Sequence, residues 1–236
     1  MRLDRAATLA GLTRSEARRA IAAGRVRVDG QPVRDAGMQV DPARVTVDGA
    51  AVAQTGPLYI MVHKPAGVLT ATEDRRLPTV LDLLPERLRR AGPGPVGRLD
   101  RDVTGLVLLT TDGQLAHRLI SPKWKAEKVY RARCEGRLTQ ATVDTFAAGV
   151  ALSDFRARPA GLAILEAGED ASVADVTLTE GKFHQVKRMF AAVGHPLTAL
   201  HRLRIGGVTL DPALAPGEWR HLSEDEVKAL RELCDL

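Results

Sequence analysis

Aromatic residues are scarce in this chain: two Trp, two Tyr and four Phe make up 3% of its 236 residues. With so few rings, an extended stacking platform for single-stranded nucleic acid is not expected. Cysteine is scarcer still. Cys134 and Cys234 are far apart and neither sits in a CxxC pair, which argues against a disulfide framework or a structural zinc site and fits a reducing compartment. Long apolar runs are absent. No window approaches a membrane span, and the opening Met1-Arg2-Leu3-Asp4-Arg5 lacks the apolar core of a signal peptide. The expectation is a cytoplasmic protein without a membrane partner. A P-loop pattern is also missing.

What is present is ordinary globular material, 44% hydrophobic and 27% charged, enough for a small domain followed by a medium one. The net charge of +5, from 34 Lys+Arg against 29 Asp+Glu, permits a polyanionic partner without demanding one. The excess is arginine-heavy, and arginine suits phosphate and base-plane contacts better than lysine.

Residues 1–48 form a separate unit. Leu3, Ala6, Ala7 and Ala10 repeat at helical spacing up to Gly11. Thr13 and Glu16 make a capping box for a second helix that ends at Gly24. Val26 and Val28 then alternate with Arg25 and Arg27, and Asp29-Gly30 supplies a type I′ hairpin turn. This unit holds nine arginines against six acidic residues. Arg14, Arg18 and Arg19 share or flank one helix face, with Arg25 and Arg27 on the adjoining strand. A solvated helix face would account for such a cluster; its concentration on a small helix and hairpin favours a nucleic-acid footprint. Arg2-Leu3-Asp4-Arg5, Thr13 to Arg18 and Gly24 to Gly30 resemble an S4 RNA-binding domain, a fold implying recognition of structured RNA through shape and phosphates.

Residues 49–57 read as a linker of small residues, and a second domain spans 58–236. Its strands are expected at 58–62, 106–109, 128–134, 160–166 and 172–179. Helices are expected at 79–90, 112–120 (Asp112 as N-cap), 140–148 and 184–193, with a last helix capped by Ser223 and Glu226. Strand runs mixed with separated helices indicate an α+β class.

Gly97-Arg98-Leu99-Asp100-Arg101-Asp102 leads directly into the apolar run Leu106 to Leu109. A run bounded in this way reads as a strand buried on both faces. Carboxylates on the loop entering it are held rigidly, where burial and nearby cations set their ionisation. Asp100 and Asp102 are therefore candidates for a nucleophile or general base, although a simple capped turn would use the same residues.

Gly97-Arg98-Leu99-Asp100, Glu127-Lys128-Val129-Tyr130, His184-Gln185-Val186-Lys187-Arg188-Met189-Phe190 and His201 to Val208 together resemble the pseudouridine synthases of the S4-bearing ribosomal branch. Val103 departs from the threonine usual in that family. The resemblance implies a catalytic domain with a mostly antiparallel mixed sheet flanked by helices, a reaction with no cofactor and no metal, and a monomer acting on ribosomal RNA. The ending, without a basic tail, favours the small-subunit 16S RNA; a 23S target or a non-catalytic ribosome-assembly binder are the alternatives. By the same resemblance, Asp100 is the essential carboxylate, as nucleophile or as base at C2′. Lys187 is its cationic partner, and Tyr130 lies against the base. Arg98 binds phosphate or fills the space of a flipped base, and Arg188 contacts phosphate. Ile205 or Leu203 packs under the base, while Asp102 shapes the loop. His63, His184 and His201 are too widely spaced in sequence to suggest a metal site.

Overall fold

A computed structural model describes residues 1–52 and 56–236. The chain divides into two compact units, one of Met1–Leu58 with Leu84–Pro93, the other of Tyr59–Leu83 with Gly94–Leu236.

In the first unit, helices α1 (Leu3–Thr8) and α2 (Arg14–Ala22) accompany a sheet of β1 (Val26–Val28), β2 (Gln31–Pro32), β3 (Val45–Val47) and β4 (Ala50–Ala51), in the order β2-β1-β3-β4. The Thr13–Glu16 capping box forms as expected, with both reciprocal hydrogen bonds. Asp29 and Gly30 both take positive φ, 50° and 77°, as a type I′ turn requires. The core is built from small residues: Ala6, Ala7, Ala17 and Ala20 meet Leu3, Ile21 and the valines of the sheet. The stretch that reads as a linker from residue 49 instead begins with β4, and Val52 is buried in this core. Residues 53–55 of that stretch lie outside the described residues.

The helix expected at 79–90 is much shorter, α3 (Glu86–Arg90). Pro85 lacks an N–H and disfavours helical geometry at Leu84, so a helix can only start after it. Upstream, Asp82 accepts from the Thr79 N–H and hydroxyl at 2.8 and 3.0 Å, closing a turn instead. Sequence alone assigns this helix to the second domain. It groups with the first unit, where Arg90 donates to the Leu12 carbonyl at 2.6 Å.

The second unit is a nine-stranded mixed sheet with four helices. Its strands are β5 (Tyr59–Lys64), β6 (Gly94–Pro95), β7 (Thr104–Thr110), β8 (Lys128–Glu135), β9 (Gly161–Ala167), β10 (Ala171–Leu178), β11 (Leu197–Ile205), β12 (Val208–Thr209) and β13 (Trp219–His221). The main path runs β13-β5-β7-β11-β8-β10-β9. Among the described strand pairs only β7 with β11 is parallel. Helices α4 (Gly113–Ile120), α5 (Gln140–Ala148), α6 (Gln185–Ala192) and α7 (Glu224–Leu233) cover it. The expected caps are in place: Asp112 accepts from the Leu115 N–H, and Ser223 and Glu226 form a capping box.

Strand β7 is buried from Gly105 to Thr110, as its apolar run requires. One face, Leu106 and Leu108, packs with Leu115 and Leu119 of α4 and Leu230 of α7. Gly105 is needed for the parallel pairing with β11. A Cβ there would lie 2.3 Å from the Arg202 carbonyl oxygen, and its φ is +107°.

Candidate active site

The loop from Gly97 to Val103 leads into β7 and is held from outside at Leu99, Arg101 and Val103. Buried Thr70 accepts from the Leu99 N–H at 3.1 Å and donates to the Leu99 carbonyl at 2.9 Å. The Gly67 N–H donates to the Arg101 carbonyl at 2.8 Å. Lys64, fully buried at the end of β5, donates to the carbonyls of Pro65, Arg101 and Val103 at 3.0, 3.1 and 2.7 Å. Thr104 is fixed in turn by a 2.8 Å hydrogen bond with His201 Nδ1. Asp100 therefore sits between two anchored residues, Leu99 and Arg101. The sequence attributes this rigidity to the strand; the structure shows that Lys64 and Thr70 supply much of it.

Helix α6 faces this loop. Val186, Met189 and Phe190 turn inward, Phe190 meeting Phe146 edge-on at 5.0 Å. Lys187 emerges toward the carboxylates. Its Nζ is 3.1 Å from Asp100 Oδ2 and 2.7 and 2.9 Å from the two oxygens of Asp102. Burial pushes the Lys187 ammonium down, but the hydrogen bonds to Asp102 and Asp100 outweigh it and hold the group above its ordinary value. The hydrogen bond from Lys187 holds Asp102 below the usual carboxylate range. Asp102 thus does more than shape the loop: it shares the cation with Asp100. His184 adds a third neighbour, its Nε2 being 3.4 Å from Asp100 Oδ1.

Arg98, Asp100, Tyr130, Leu200, Lys187 and His184 line one open cleft of about 450 Å³. Tyr130, on β8, is 8% exposed. Behind it lies Arg202, 2% exposed, which donates to the Leu106 carbonyl at 2.8 Å and approaches the Tyr130 hydroxyl at 3.5 Å. Its Nη2 is buried without a hydrogen-bond partner. A buried cation beneath the tyrosine, like the buried Lys64, leaves no local pattern in the sequence.

Two expected contacts fall elsewhere. Ile205 is 1% exposed in the core with Leu106 and Leu108. The β7–β11 register places His201 beside Thr104 and Arg202 beside Gly105. Beyond Arg202 the pairing of β11 with β8 shifts register, and Ile205 joins the Leu106 core instead of the cleft. Leu200 occupies the cleft instead. Arg188 is engaged by an ion pair with Asp154 and lies 5.3 Å from the Phe155 ring centre. The histidines do not converge: His63 and His201 meet edge-on at 5.4 Å, while His184 stands by Asp100.

In the first unit, Arg14, Arg18 and Arg19 line a common shallow groove on α2. Arg18 also reaches Asp4 at 3.4 Å. Arg25 is ion-paired with Asp48, so its charge is already matched within the unit.

Residues 58–192 match the family model for RNA pseudouridylate synthase. The chain belongs to that family. Residues 1–45 match the S4 domain, and no helix among the described residues is long and apolar enough to cross a membrane. The synthase is 44% identical to ribosomal small subunit pseudouridine synthase A of Escherichia coli K12, over 98% of this chain and 100% of that one. It is equally 44% identical to an uncharacterized RNA pseudouridine synthase of Bacillus subtilis, over 98% and 99%. A solved pseudouridylate synthase superposes with a TM-score of 0.69 at 36% identity, covering 98% of this chain and 99% of that one. The S4 domain and the synthase relatives together make this an RNA-binding enzyme of α+β fold.

Proposed function

We propose that this synthase isomerises one uridine of small-subunit 16S ribosomal RNA to pseudouridine, working as a monomer in the cytoplasm. Support for the ribosomal target comes from the full-length likeness to the small-subunit enzyme. The observation that carries the chemistry is the clamped Asp100 with Lys187 3.1 Å away.

Isomerisation breaks the N1–C1′ bond, turns the uracil and joins C1′ to C5. The C5 proton is lost and N1 gains one, so no electrons enter or leave. Asp100 begins this by attacking the nucleotide or by taking the C2′ proton. Both routes use the carboxylate as an anion. Lys187 supplies the opposing charge. Tyr130 lies against the base and accepts the C5 proton, and Arg98, exposed at the mouth of the cleft, fills the gap left in the RNA or holds a phosphate. Arg14, Arg18 and Arg19 contribute sequence-independent phosphate contacts, Arg25 less so because of Asp48.

The test is to map pseudouridine in both ribosomal RNAs from cells with and without the enzyme, and with Asp100→Asn in its place. A single 16S site lost in the absence of the enzyme and in the variant is expected. A site in 23S RNA would overturn the target, and no lost site would favour an RNA binder without catalysis.

A further inference from the structure

Of the four phenylalanines in the chain, Phe146 and Phe190 are fully buried, and Phe155 is covered by Lys182 at 3.5 Å from its ring centre. Phe183 is the exception. It is 77% exposed, more than any other exposed large hydrophobic side chain among the described residues. Its ring lies flat on the His184 imidazole, with centroids 3.8 Å apart and planes at 17°. His184 in turn contacts Asp100. A stacked column therefore runs from the carboxylate of the cleft to a bare phenyl face in water.

The turn that carries this column is locked. Gln185, 3% exposed, accepts from the Lys182 N–H at 2.9 Å and donates to Glu180 Oε1 at 2.5 Å. Glu180, 8% exposed, also accepts from the Arg158 N–H at 2.9 Å. Between these anchors His184 adopts φ 50° and ψ 29°, a left-handed conformation that residues with a Cβ rarely choose. A ring on a fixed turn, with one face already stacked, loses less entropy than a free side chain when a second flat group covers it.

We propose that the outer face of Phe183 stacks a nucleobase adjacent to the target uridine; this rests on the RNA-modifying reading above. Extruding a uridine unstacks its neighbours, and an aromatic face beside the cleft replaces the lost stacking. The surroundings favour a nucleotide over an apolar peptide, because Arg98 and Lys182 line the cleft beside it and match the phosphates of an RNA strand. Rings too scarce for an extended platform still provide this one-base shelf.

The experiment uses the full-length enzyme and 16S RNA fragments spanning the mapped uridine, with 2-aminopurine immediately 5′ in one fragment and 3′ in another. Wild type is expected to quench one of the two probes on binding. Phe183→Ala, with its melting temperature checked against wild type, should lose that quenching and bind about tenfold more weakly, within the range for one base–aromatic stack. Phe183→Trp should retain both. Replacing the stacked nucleotide by an abasic one should make wild type and Phe183→Ala bind alike. Unchanged quenching and affinity in Phe183→Ala, with isomerisation by wild type intact, would overturn the stacking inference alone. Failure of wild type to isomerise any ribosomal uridine would overturn the reading beneath it.

Discussion

The Lys64 ammonium lies 2.7 Å from the carbonyl oxygen of Val103 and 3.1 Å from that of Arg101. These two carbonyls flank Asp102 in the chain, and one belongs to the residue after Asp100. A buried cation in strand β5 thus sets the shape of a loop nearly forty residues further along, on which the carboxylates stand.

Lys64→Met keeps most of the apolar stem and deletes the donors. Orphaned carbonyls in a buried site cost roughly 1–3 kcal/mol of stability, to be read by urea unfolding. Loosening the loop should lower kcat more than it raises KM, since the carboxylate is misplaced while the RNA-binding surface remains. An equal loss in both constants would mean that Lys64 supports the fold without placing Asp100.

The same lysine gives a pH signature. Burial lowers its pKa to about 8, against the partial opposition of Asp102 and Asp100, whereas an unfolded lysine titrates near about 10.4. Between these values the unfolded chain holds the extra proton, so unfolding free energy should rise with pH in that window. Urea unfolding from pH 7.5 to 10 should show this rise in wild type relative to Lys64→Met. A constant difference between the two would contradict it.

Asp100 and Asp102 share Lys187 but should behave differently when replaced. Asp100→Asn removes the reacting group and should reduce isomerisation by at least about a thousandfold, within the scale of essential acid–base groups, with RNA affinity retained. Asp102→Asn leaves Lys187 with Asp100 as its remaining carboxylate partner. A much smaller loss is expected, about tenfold, below the range for a group that itself acts as acid or base, because Asp102 touches the cation but not the reacting atoms. Equal losses in single-turnover assays would show that the two carboxylates act as a unit.

Features set by chemistry within a few residues were legible in the sequence. The caps at Thr13, Asp112 and Ser223, the Asp29-Gly30 turn and the buried β7 all follow from local pattern. The meeting of Asp100 with Lys187 was legible only through family motifs, since the two lie on separate elements. Lys64 was not, because a lysine closing a strand ordinarily points to water, and only its pairing with the distant loop buries it. Ile205 escapes sequence reasoning for a related reason: its hydrophobicity is plain, but β11 shifts register just before it, and tertiary packing puts it in the core with Leu106 and Leu230. Phe183 shows the reverse case, an apolar side chain that tertiary structure leaves exposed.

Gly105→Ala offers a test of that β7–β11 contact. The new methyl would approach the Arg202 carbonyl oxygen to 2.3 Å and force an alanine to φ +107°. Strand backbones on both sides are buried, so neither can retreat without breaking its own ladder. A loss of about 3 kcal/mol or more is expected, combining overpacking with backbone strain. Near-normal unfolding midpoints would mean that the parallel pair can separate. Because Arg202 lies beneath Tyr130, any surviving folded variant should also isomerise more slowly than its stability loss explains.

The arginine groove of α2 can be separated from specific recognition by its salt dependence. Removing one arginine–phosphate pairing should reduce the slope of log affinity against log salt by about 0.7–0.9. Arg14→Gln and Arg19→Gln should each take away about one such step and weaken different ribosomal RNA fragments alike. Arg18→Gln should do the same while leaving Asp4 paired with Arg2, at 3.1 Å, so the fold of the unit is preserved. Arg25→Gln is the control, since Asp48 already neutralises that guanidinium; its slope should change least. If Arg25→Gln flattened the slope as much as Arg14→Gln, the footprint would extend onto the strand, and the Asp48 pair would have to open when RNA binds.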